Sequence, residues 1–66
     1  MIAPVSKPTV KLTGHDGNAF SIMGRVKRAL LSAGADKEYT DQYIGKATSG
    51  DYNHLLSVSM EYVDVE

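Results

Sequence analysis

Four times this chain sets a glycine one or two positions ahead of an asparagine or aspartate, at Gly14-His15-Asp16, Gly17-Asn18, Gly34-Ala35-Asp36 and Gly50-Asp51, and the last three stand directly before runs of helical period. Glycine halts the element before it, because it enters the left-handed conformations that end helices without steric cost. The Asx side chain then starts a helix by accepting a hydrogen bond from an amide that has no carbonyl partner in the first turn. This punctuation forbids a long helix or a long strand and leaves room for three short helices.

The residues between the signals carry the matching periods. Ala19, Ile22, Met23, Val26, Ala29, Leu30 and Ala33 recur at three- and four-residue steps, predicting an amphipathic helix from Ala19 to Ala33. Lys37 to Thr48 predicts a second helix with a narrow stripe of Tyr39, Tyr43, Ile44 and Ala47. A third starts after Asp51, turns Tyr52, Leu55, Leu56 and Met60 inward, and ends near Met60. Outside the helices, Thr9-Val10-Lys11-Leu12-Thr13 alternates polar and apolar residues as a half-buried strand does, and Gly14 ends it. A closing strand from Tyr62 carries Val63 and Val65 on one face. Residues 1 to 8 form an extended or disordered leader, since Pro4 and Pro8 each disfavour helix in the preceding residue. The fold expected for residues 9 to 66 is a single small α+β domain, strand-helix-helix-helix-strand, with a minimal two-stranded sheet packed on three helices. The direction of the strands stays open.

Composition narrows the function classes. With 66 residues, burial of one core only just offsets chain entropy. The chain has no cysteine, so neither a disulfide nor a thiolate metal site adds to that core, and homo-oligomerisation is the remaining common device. Seven basic and eight acidic residues leave a formal charge of −1, which argues against a nucleic-acid binder that relies on a broad positive field. No basic start precedes a long apolar run, and no run is long enough to span a bilayer; the expectation is a soluble cytoplasmic protein without membrane contact.

Four groups of residues bear on function. The turn Gly14-His15-Asp16-Gly17-Asn18 stands before a helix N-terminus, where His15, Gly17 and Asn18 are candidate contacts for a small anionic ligand. It lacks the pattern and the lysine of a phosphate-binding loop, and Asp16 would repel a phosphate. His15 with Asp16, and His54 with Asp51, have donors suited to a metal or to acid-base chemistry, but the two pairs share no ligand spacing. Neither a metal, a cofactor nor catalysis is expected. Arg25, Lys27 and Arg28 with Lys7 and Lys11 make a local basic zone, open to a solvated face, an acidic partner or a nucleic-acid backbone.

Phe20, Gly24, Lys27 and Leu31 form a second stripe beside the buried one. Gly24 costs a helix interior about 1 kcal/mol relative to alanine, so its place suggests that some other group approaches the backbone there. Two occupants fit, another helix of the same chain or a partner surface. Four tyrosines are many for this length, and at least two of them are expected in the core.

Val10-Lys11-Leu12, Asp16-Gly17-Asn18-Ala19-Phe20, Ala47-Thr48-Ser49-Gly50-Asp51-Tyr52 and the Val63-Asp64-Val65-Glu66 end together resemble a family of very small proteins encoded in bacterial genomes, phages and other mobile elements. The resemblance implies a mobile-element setting and brings no activity, cofactor or site residue with it. The expected function is a non-enzymatic binding module, a phage or mobile-element accessory protein that self-associates or contacts another protein. Phe20, Gly24, Lys27 and Leu31 form the contact surface, with Arg25 and Arg28 at its rim. The alternatives are a sponge for a nucleotide-like ligand and a nucleic-acid backbone binder.

Overall fold

The computed structural model describes residues 1–12 and 18–66. Its elements are β1 (Thr9–Val10), α1 (Ala19–Ser32), α2 (Lys37–Ala47), α3 (Tyr52–Tyr62) and β2 (Asp64–Val65), the α+β order expected. The strands pair in parallel with Thr9 opposite Asp64 and Val10 opposite Val65. The Asp64 amide donates to the Pro8 carbonyl and the Glu66 amide to the Val10 carbonyl, each at 2.9 Å.

All three Asx signals that stand before helical runs act as caps. Asn18 accepts from the Phe20 amide, Asp36 from the Tyr39 amide and Asp51 from the His54 amide. The backbone hydrogen bonds that Asp36 accepts, from Tyr39 foremost and then from Ile2, hold its carboxyl below its ordinary range. The α1 terminus is set by Gly34 at φ 103°, a conformation that lets the Ala35 amide reach the Leu30 carbonyl at 3.0 Å and the Gly34 amide reach that of Leu31 at 3.1 Å.

Two boundaries differ from the sequence reading. The first strand is confined to Thr9–Val10 rather than running to Thr13; Val10 is buried and Leu12 packs on the core from beyond the strand. The third helix continues through Met60 to Tyr62, where a strand start was expected. Val58, Met60 and Tyr62 alternate like a strand, but Leu55, Val58, Ser59 and Tyr62 form the buried face at helical spacing. Tyr62 is held there by edge-to-face contacts with Tyr43 and Tyr39, at centroid distances of 5.2 and 5.5 Å. Met60 and Tyr52, both expected inward, are exposed.

The core runs from Val10 through Ile22, Met23, Val26 and Leu30 of α1 to Tyr43 of α2, Leu55 and Val58 of α3, and Val63. Tyr43 and Tyr62 are the two tyrosines inside it. Val65 is exposed, so the closing valines do not share one buried face. The leader lies along the turn between α1 and α2. There the Val5 amide donates to the Ala33 carbonyl at 2.8 Å and the Asp36 amide to the Ile2 carbonyl at 3.1 Å. The Met1 amino group sits 3.0 Å from Glu38, whose carboxylate raises its pKa.

Candidate functional site

Helix α1 presents three surfaces, because each residue advances about 100° around the axis. One buries Ile22, Met23, Val26 and Leu30. Beside it, Phe20, Gly24, Lys27 and Leu31 line up as a ridge. Phe20 is 81% exposed and Leu31 43%, while Gly24 is open and Lys27 half-buried. A Cβ built on Gly24 meets no heavy atom within 4 Å. No other part of the described chain therefore makes the close approach to Gly24 that its presence in a helix suggested, and the space over it is empty.

The ridge separates two depressions. Toward the helix start, an apolar cleft of about 300 Å³ lies beneath Phe20, with Ala19, Met23, Ala47, Tyr52 and Leu55 in its walls. On the other side, a groove of about 610 Å³ runs between α1 and β1. Lys11 stands on the strand side and Arg25 and Arg28 on the helix side; Gly24 forms part of the floor, and Thr9, Ser21 and Ser32 add hydroxyls. The structure thus gathers Lys11, Arg25, Arg28 and Gly24 at one groove and sets Phe20 and Leu31 along its bank. Lys7, part of the same basic zone in the sequence, pairs with Asp64 at 3.6 Å instead. The groove was not legible from α1 alone, since its other wall, Thr9 to Lys11, comes from the β1 segment, whose register depends on β2.

The proposed ligand turn divides. His15 and Gly17, with Thr13, Gly14 and Asp16, lie outside the described residues. Asn18 uses its side-chain oxygen on the Phe20 amide at 2.8 Å, so its amide-facing atom caps the helix. His54 has a structural task. Its Nε2 lies 2.9 Å from the Lys46 carbonyl and 3.1 Å from Ser49 Oγ. The Ser49 hydroxyl already donates to that carbonyl at 2.7 Å, so neither oxygen offers Nε2 a proton and Nε2 itself carries one. The imidazole thereby ties α3 to the end of α2.

Among the described residues, no group of three His, Asp or Glu is placed to share a metal ion, and no helix is long and apolar enough to cross a membrane. The chain matches no protein-family model, no curated protein and no solved structure.

Proposed function

We propose that this chain is a non-enzymatic binding module that works by protein–protein contact through the outer face of α1, and that its first partner is a second copy of itself. The observation that carries the reading is Phe20, which stands 81% exposed above an apolar cleft and is the most exposed large apolar side chain of the three helices. A phenylalanine held in water forgoes a favourable burial of about 1.5–3 kcal/mol, and a docked surface recovers it. Leu31 continues the same bank one end of the helix away, and Gly24 between them lets another backbone come close. The arrangement suits an anchor-and-rim interface, with aromatic and aliphatic anchors inside and Arg25 and Arg28 at the edge. The mobile-element setting that the sequence resemblance implies, and a cytoplasmic location, belong to the same proposal.

Sedimentation equilibrium from micromolar to millimolar concentration tests it. Reversible association is expected, weakened at least tenfold in Phe20→Ser/Leu31→Ser. A wild-type chain that stays monomeric at millimolar concentration, or a variant that associates equally well, overturns the reading.

A further inference from the structure

The groove between β1 and α1 has a property that the Phe20 ridge lacks: one of its walls is a strand edge that pairs with no other strand among the described residues. Successive residues of a strand aim their backbone groups to alternate sides. The Pro8 and Val10 carbonyls point at β2, where they accept from Asp64 and Glu66. The amide and carbonyl of Thr9, and the amide of Lys11, therefore point the other way, into the groove that Thr9, Val10 and Lys11 line. A two-stranded sheet is marginal, and an open edge is a template for a further strand.

We infer that this groove takes an extended acidic segment of a partner protein, which adds to the sheet as a third strand beside β1. The inference rests on the reading of the chain as a protein-binding module; its groove shares Gly24, Arg25 and Arg28 with the Phe20 interface but uses Thr9 and Lys11 in place of Phe20 and Leu31.

Charge selects the occupant. Lys11, Arg25 and Arg28 put cationic side chains on both walls, so alternating acidic residues on the incoming strand meet opposite charge. Pairing β1 with β1 of a second copy would instead bring two sets of these cations together. The chain already illustrates the preferred chemistry on the other edge of β1, where Asp64 lies within 3.6 Å of Lys7 in the alternating Val63-Asp64-Val65-Glu66. Size agrees. From Ser21 to Ser32 the helix side of the groove is about 16 Å long at 1.5 Å per residue, the length of about five extended residues. Gly24 now has a reason: any side chain there would project into the path of the strand. The edge also separates a peptide from a phosphate ligand. It offers a carbonyl acceptor as well as amide donors, which a peptide backbone satisfies and a phosphate, holding only acceptors, does not.

The test is a titration of the labelled full chain, followed by amide NMR, with a blocked six-residue peptide of alternating valine and glutamate at up to millimolar concentration. Saturable shifts centred on Thr9, Lys11 and Ser21 are expected, together with slowed hydrogen exchange at Thr9 and Lys11. Affinity should fall at least tenfold in Gly24→Leu and in Lys11→Glu/Arg28→Glu, and with a peptide whose alternate amides are N-methylated. Phe20→Ser/Leu31→Ser should bind the peptide normally, so loss of self-association and loss of strand addition are separate results. The inference is overturned if the peptide causes no saturable shift, if its lysine counterpart or the N-methylated form binds equally well, or if a nucleoside triphosphate or an oligonucleotide competes it out more tightly than it binds.

Discussion

The Tyr43 hydroxyl donates to Ser59 Oγ at 2.7 Å, joining α2 to α3 at a point where both residues are fully buried. The direction of the bond follows from Ser59, which has one proton and gives it to the Leu55 carbonyl at 2.8 Å. The two partners are therefore unequal. Ser59→Ala strands a buried phenol and should cost about 1–3 kcal/mol, whereas Tyr43→Phe leaves Ser59 bonded to Leu55 and should cost about 1 kcal/mol. The double variant should be less destabilised than the sum of the two, because no donor is left stranded. Urea unfolding of all four proteins measures the cycle; additive losses would show that the bond contributes nothing.

The same phenol gives stability an alkaline limit. Burial raises the pKa of Tyr43 above its ordinary value of 10.0. A group with a raised folded pKa keeps its full contribution below the unfolded value and loses it as pH rises toward the folded one. Above about pH 10 the unfolded chain releases this proton while the folded chain retains it. Wild-type stability should therefore fall above about pH 10 more steeply than that of Tyr43→Phe. Parallel slopes for the two proteins would contradict the assignment.

The helix starts were legible because each depends on a few adjacent residues: Asn18, Asp36 and Asp51 cap where their side chains can reach an amide two or three positions on. Local signals ran out where distant residues decide. Tyr62 stays helical because Tyr39 and Tyr43 hold its ring, and a strand-like alternation around Met60 carries no trace of them. Ser59 is buried on that helix face because Tyr43 supplies a partner for its hydroxyl. The Phe20 ridge could be written down from helical spacing alone, while the groove beside it needed the parallel register of β1 with β2.

At the α2–α3 turn, glycine is required by a neighbour rather than by its own backbone. A Cβ on Gly50 would stand 2.7 Å from His54 Cγ and 2.8 Å from His54 Cβ, too near the root of the side chain for a small rotation to relieve. Gly50→Ala should therefore displace the imidazole, break its bond to the Lys46 carbonyl and cost about 1–3 kcal/mol. His54→Ala alone should cost no more than about 1 kcal/mol. Adding Gly50→Ala to it should then cost little further, since the obstructing ring is gone. Thermal unfolding of the three variants decides; a full additional loss in the double variant would mean that the turn itself needs glycine.

Two helical glycines separate stability from binding. Gly24 and Gly45 are both exposed, neither has positive φ, and a Cβ on either meets nothing within 4 Å. Alanine at each should stabilise the free chain by about 0.5–1 kcal/mol, because it restricts the unfolded backbone and improves helix propensity. For a domain of this size that is a rise in Tm of several degrees, on the order of 4–8 °C per kcal/mol. Only Gly24 lies in the groove and on the ridge. Gly45→Ala should therefore be stabilised with unchanged association, while Gly24→Ala gains the same stability and loses affinity for whatever approaches that face. Calorimetry paired with sedimentation reads both quantities on the same samples. Equal association by the two variants would leave Gly24 as a helix defect without a binding role, and a Gly24→Ala chain less stable than wild type would mean that the space above it is already occupied in the free protein.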